Sequence, residues 1–140
     1  MNTPQPPVQQ NVTDSPGRFS LPWVNYFSSL AKFLAKPTVY YPVLAATWSN
    51  YSPAHQPASY YKDSSGIVHL SGLIKKTGAV ASGEVVFTLP EGFRPLLALH
   101  FVAADSGAYC QLRIGGDGIA QAYYTIGAYV SLDGISFMVA

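Results

Sequence analysis

The residues able to do chemistry in this chain are few and scattered. His55, His69 and His100 are far apart, and none belongs to a His-x-His or His-Glu-x-x-His pair, the spacings that bring two imidazoles onto one metal. Each reads as a packed or rim residue. Only an oligomer with a three-fold axis would bring copies of one histidine together. The acids are Asp14, Asp63, Glu84, Glu91, Asp105, Asp117 and Asp133. Five of them (all but Asp14 and Glu84) fall in predicted turns beside Gly or Ser, where a carboxylate bonds the nearby backbone. A glycosidase needs two opposed carboxylates, one in an apolar setting, and nothing here selects a pair. Cys110 is the sole cysteine, which excludes an intrachain disulfide. It sits in the alternating segment AYCQLRI and reads as a small buried hydrophobe, without the base that a catalytic thiolate requires. Gly115-Gly116-Asp117-Gly118 lacks the following lysine and helix of a phosphate loop, so it reads as a hairpin turn. No catalytic residue, metal ligand or cofactor site is predicted.

Charge narrows the partners. Charged residues are 11% of the 140, with a formal net charge of +1, against roughly 25% charged residues in an average soluble domain. A basic face of the kind nucleic acid requires is missing. The one adjacent basic pair, Lys75-Lys76, reads as a solvated loop pair. So little charge suits a chain that lives within an assembly rather than free in solution. The N-terminal segment lacks the charged and apolar regions of a signal peptide, and no apolar run reaches the roughly 18–20 residues of a membrane helix. Synthesis in the cytoplasm without membrane insertion is the expectation.

Aromatic residues are the abundant resource, with ten Tyr, seven Phe and two Trp. Rigid aromatic side chains on loops make contact platforms for proteins or glycans. Trp48, Tyr51, Tyr60 and Tyr61, close to Pro53 and Pro57, are the surface-contact candidates. Tyr123 and Tyr124 read as core or interface.

These residues must be positioned by two kinds of element. Residues 1–17, with Pro4, Pro6, Pro7 and Pro16, form an extended arm with little to bury. Residues 20–36 then read as an amphipathic helix, with Pro22 in its first turn and Pro37 as its stop. Trp23, Phe27, Leu30 and Leu34 make its apolar seam and are the assembly candidates. About four turns are marginal alone in water, so the seam docks either on its own domain or on sister chains.

Beyond the helix, prolines restrict residues 37–65 to an edge strand near 39–48 and a short strand near 58–62. Residues 67–74 alternate, with Val68, Leu70, Gly72 and Ile74 on one face. A loop or hairpin over 75–83 follows, then a strand at 84–89 and a Pro90-Glu91-Gly92 turn. The apolar run 96–104 reads as a central strand, and 108–114 pairs through a glycine turn with 119–124. The segments 129–132 and 135–139 read as a closing hairpin. Short strands separated by Gly and Pro turns predict an all-β fold, an antiparallel β-sandwich or jelly roll. The domain division is 1–36 for the arm and helix and 37–140 for the head.

The order VHLSGL (68–73), VFTLPEGFRP (86–95), LRIGGDG (112–118) and YVSLDGISF (129–137) resembles the C-terminal head or tip domain of tail-fibre and receptor-binding proteins of tailed bacteriophages. The resemblance covers residues 67–139, and LPEGFRP is its most specific piece. It implies a non-enzymatic β-sandwich exposed on a virion, a homotrimer with a dimer as the alternative. Its implied partners are other virion proteins of the tail, baseplate or capsid, and a host surface glycan or protein. The arm and helix are similar to a short anchor for such a head. The chain as read contains no long shaft, so a second reading stays open, a capsid decoration (cement) protein stabilising the head shell.

Overall fold

The computed structural model of the protein describes residues 3–7, 11–15, 17–123 and 127–140. Two compact units result, residues 1–37 and 38–140. In the first, β1 (Thr13–Ser15) pairs antiparallel with β2 (Arg18–Phe19), and α1 (Leu21–Phe33) follows directly. Pro22 lies in the first turn, where its missing N–H has no intrahelical partner to lose, and Lys32 lies in the last turn, beside the negative end of the helix dipole.

The second unit is the sandwich. One layer is a four-stranded antiparallel sheet in the order β7 (Glu84–Thr88), β10 (Ile119–Tyr123), β9 (Tyr109–Ile114), β8 (Leu99–Ala104). This Greek-key order lays the first strand beside the last of a three-strand meander. Two further three-stranded sheets lie end to end. Their central strands are β5 (Ile67–Ser71) and, running on through Gly72, β6 (Leu73–Lys76). On one side β4 (Ser59–Lys62) and β3 (Trp48–Asn50) pair with β5 and β6. On the other side β12 (Ser136–Met138) and β11 (Val130–Ser131) do the same.

The fold line between these two sheets has a specific construction. Both flanking chains leave the ladder at the level of Gly72, as the loop 51–58 and the Asp133-Gly134 turn. Gly72 N–H donates to Asp133 Oδ1 at 2.8 Å, and Gly72 O accepts from Leu132 N at 2.8 Å. Alternation sends Val68, Leu70 and Ile74 inward, where they meet Val86, Phe87, Leu112, Ile114, Leu132 and Phe137 in one buried cluster. At roughly 25 cal/mol per Å² of apolar surface, this inter-sheet layer is the main stabilising contribution.

Several local expectations are corrected. The run 96–104 is not central, because β8 is the edge of its sheet. Its apolar look misleads since Leu96 and Leu97 precede the strand and Val102 points outward, 76% exposed. The segment 39–48 contributes only an isolated Tyr40–Tyr60 bridge before β3, with Pro42 unable to donate to a ladder. Residues 67–74 are two strands bent at Gly72. Lys75 and Lys76 belong to β6, and the following loop crosses between sheets instead of closing a hairpin. The segments 129–132 and 135–139 pair with β6 and β5 rather than with each other. Tyr124 lies outside the described residues.

Candidate functional site

The four aromatic contact candidates separate by strand face. Trp48 and Tyr60 point inward and are buried, which removes them from the surface. Tyr60 stacks on Tyr40 with centroids 5.6 Å apart and meets the edge of Phe93 at 5.1 Å. Burial, and then the neighbouring Tyr40, push its phenol pKa up. Period-two alternation is the physical reason, since Tyr60 and Tyr61 are adjacent and must face opposite ways.

Tyr61 lies on the outer face, stacked on His69 at 4.8 Å. His69 Nε2 in turn contacts Asp63 Oδ2 at 2.9 Å. Asp63 Oδ1 also accepts from Ser65 N at 2.9 Å and Ile67 N at 3.0 Å, so one carboxylate closes the β4–β5 turn. The His69 bond first, and these backbone bonds after it, hold its pKa below the usual carboxylate value. A lowered folded-state pKa contributes stability above the unfolded value and loses it as pH falls through the folded value. Asp63→Ala is therefore expected to destabilise the protein by about 1 kcal/mol at neutral pH, the partial exposure of the turn limiting the effect. The gap to wild type should close below about pH 4. Urea titrations at pH 7 and pH 3 measure this, and a gap that persists unchanged at pH 3 would contradict it.

Tyr51 anchors the other outer-face group, at the start of the loop 51–58. Its ring meets His55 at 5.1 Å and Tyr129 at 5.4 Å, both edge-on, and Lys75 Nζ lies 5.9 Å from its centroid. Cross-strand register sets Ser49 opposite Lys75, and extending the β6–β11 pairing by one residue brings Tyr129 to the same row. Ser52 Oγ and His55 Nδ1 are 2.7 Å apart. Two open depressions flank the group. One, of about 480 Å³, is lined by Ser49, Tyr51, His55 and Lys75 among others. The other, of about 320 Å³, is lined by Trp48, Lys75, Lys76 and Tyr129 among others. Lys76 is engaged, donating to Glu84 Oε2 and Ala79 O, and this holds the Glu84 pKa down. Lys75 has no ion pair among the described residues. Sequence reading missed Tyr129, His55 and Lys75 as members of this group. The signal available was the alternation of 129–132, which turns Tyr129 away from the buried Val130.

The turn LPEGFRP is structural. Arg94 Nε donates to Leu89 O at 2.8 Å, Lys62 Nζ donates to Gly92 O at 2.9 Å, and Phe93 packs on Tyr40 and Tyr60. A Cβ on Gly118 would lie 2.4 Å from Leu89 O, so the DG hairpin and this turn fit together only through a glycine.

Nucleophilic catalysis requires a hydroxyl or thiol, a base, and a group that orients the base. Ser52–His55 has the first two, but Ser52 Oγ also accepts from Ala54 N at 3.3 Å, the geometry of a loop turn. His69 has its carboxylate but no nucleophile. Burial, then Asp105, raise the Cys110 pKa to about 11, so its thiol stays protonated at neutral pH. Among the described residues no group of three or more His, Cys, Asp and Glu could hold a metal, and no helix is long and apolar enough to cross a membrane.

In the N-terminal unit, Trp23, Tyr26 and Phe27 pack ring on ring at 5.5–5.7 Å, with Phe19 on Phe27 at 5.4 Å. None of the helix residues is buried. Trp23 and Leu30 are half-buried, while Phe27 is exposed and Leu34 is 70% exposed. The structure thus groups Trp23 with Phe27 and leaves the C-terminal end of the seam open.

These features define a compact antiparallel β-sandwich head with aromatic outer-face groups. Its fold is similar to that in the crystal structure of the receptor binding protein (gp15) of Listeria phage PSA. The TM-score is 0.68 at 15% sequence identity, covering 84% of this chain and 73% of that one. The likeness at that identity is one of fold. No family model matches the chain, and no curated protein matches it.

Proposed function

We propose that this chain is a non-enzymatic structural protein of a tailed-bacteriophage virion, a short tail-fibre or tail-tip receptor-binding-like component. The observation that carries this reading is the fold likeness to a phage receptor binding protein over most of both chains. In it the sandwich presents outer-face aromatics to a host surface glycan or protein, and the arm and α1 anchor the head to other virion proteins. The unburied seam of Trp23, Phe27, Leu30 and Leu34 supports the anchor role, since a helix of this length gains its stability from docking. Self-association as a homotrimer suits the open edge of β8, where Leu99, Val102 and the neighbouring Tyr109 are exposed and no charged side chain protects the edge.

The test is location and competition. Labelled antibody is expected at the tail, and purified full-length protein is expected to block phage adsorption. Labelling of the head shell, with capsids losing heat or osmotic resistance when the protein is absent, would replace this reading with capsid decoration. Trp23→Ala is expected to lower incorporation into particles about thirtyfold or more while leaving the far-UV spectrum of the sandwich unchanged, as an aromatic anchor in a packed contact is worth 2 kcal/mol or more. Immunoblots of purified particles measure it. Loss of the sandwich signal instead would mean that the helix serves internal packing.

A further inference from the structure

We infer that the outer face of β3, β6 and β11 carries a binding subsite for an acidic saccharide, a sugar ring bearing a phosphate or carboxylate, centred on Tyr51, Lys75 and Tyr129. The inference rests on the receptor-binding reading above and names the chemistry of that contact. Four observations converge. Tyr51 and Tyr129 meet edge to face at 5.4 Å, an arrangement that leaves ring faces for the apolar face of a sugar. Lys75 is exposed, its ammonium lies 5.9 Å from the centroid of the Tyr51 ring, and no ion pair to it occurs among the described residues. No Asp or Glu lines either depression, although both include Lys75, so the local field favours an anion. The hydroxyl of Ser49 and the Ser52–His55 pair at 2.7 Å add polar groups for sugar hydroxyls on the loop side.

The second strongest outer-face group lacks this character. There His69 is already matched to Asp63 at 2.9 Å, and Tyr61 is covered by the imidazole. An anion approaching it would meet the carboxylate.

The experiment uses the full-length protein and three immobilised probes, a phosphate-bearing polysaccharide, a uronic-acid polysaccharide and a neutral polysaccharide, with binding to intact host cells measured in parallel. Binding is expected to one or both acidic probes, distinguishing the two anion sources, and not to the neutral one. It should weaken as salt is raised from about 0.05 to 0.5 M, since the pair is solvent-exposed and screened. Lys75→Ala is expected to weaken it about tenfold, with Lys75→Arg restoring most of the loss. Tyr51→Ala should weaken it by a similar factor, and Tyr51→Phe should not. Lys75 is exposed, so its variants keep the fold, and unchanged urea midpoints check this. Equal binding to neutral and acidic probes, or acidic binding indifferent to both Lys75→Ala and Tyr51→Ala, overturns the subsite. If host-cell binding persists in that case, the receptor-binding reading stands without it. Loss of host-cell binding by the wild-type protein removes that reading itself.

Discussion

A chain lacking residues 1–37 is expected to fold with an unaltered sandwich and to be absent from purified particles. Every residue of the buried cluster, and every apolar residue packed against it, lies between Leu44 and Val139, so the deletion removes no core side chain. The change in unfolding free energy of the head should stay within about 0.5 kcal/mol, the usual range for changes away from packed features. Incorporation depends on different physics. Residues 21–33 are a single helix without a buried residue, below the length at which a helix is stable by itself, and its apolar seam has to be covered for the helix to persist. A particle surface that covers it gains the burial of Trp23, Phe27, Leu30 and Leu34, each worth roughly 1.5–3 kcal/mol when fully buried. Under the anchor proposal, losing all four together is expected to abolish attachment rather than weaken it. Urea unfolding of residues 38–140 and immunoblots of particles from cells supplying only that fragment measure the two halves of the prediction. A fragment that incorporates at the full-length level ends the anchor proposal. One that fails to fold assigns the helix to the head.

The sandwich was legible in the sequence wherever its cause is local. The alternation of Val68, Leu70 and Ile74 and the glycine turns at 92, 118 and 134 are properties of a few adjacent residues. They survive in the structure as written. What stayed hidden depends on which strand lies beside which. The run 96–104 has the apolar density of a central strand, yet the Greek-key order gives it an edge, and Val102 is exposed for that reason. Trp48 and Tyr60 looked like loop aromatics because prolines surround them, but each occupies an inward position of a short strand. The Tyr51–Lys75–Tyr129 group was invisible for the same reason. Tyr51 lies just past β3, Lys75 in β6 and Tyr129 just before β11, separated by dozens of residues, and only the pairing of β6 with both β3 and β11 brings them together. By contrast, the separation of LPEGFRP from chemistry was readable early, since proline, glycine and a buried leucine describe a turn, and Arg94 is used on the backbone of Leu89 rather than on a ligand.

Substitution of Gly72 is expected to cost the fold more than any other single change on the centre strand. Gly72 has φ of 113°, a region that L side chains rarely adopt, at a cost of roughly 1–3 kcal/mol. A Cβ there would also lie 2.3 Å from Pro57 O and 2.6 Å from Ala58 N. Both are backbone atoms at the end of the loop 51–58, immediately before β4, so the overlap adds roughly 1–3 kcal/mol if the loop holds its place. Together, Gly72→Ala is expected to destabilise by about 2–6 kcal/mol, a large share of the roughly 5–15 kcal/mol that holds a domain folded. Gly78→Ala is the matched control. It has a similar φ of 89°, but a Cβ there meets nothing within 4 Å, so only the backbone term applies and about 1 kcal/mol is expected. The difference between the two variants in urea midpoint isolates the close approach of Pro57 and Ala58 at the fold line. Equal, mild effects would mean that the loop 51–58 shifts to admit the methyl group. In that case Tyr51, which begins that loop, would move with it, and Gly72→Ala would weaken ligand binding while sparing stability. A stability loss several times that of Gly78→Ala means instead that the bend is rigid. The sheet then fixes where Tyr51, Lys75 and Tyr129 stand before any ligand arrives, and binding loses little to ordering the site.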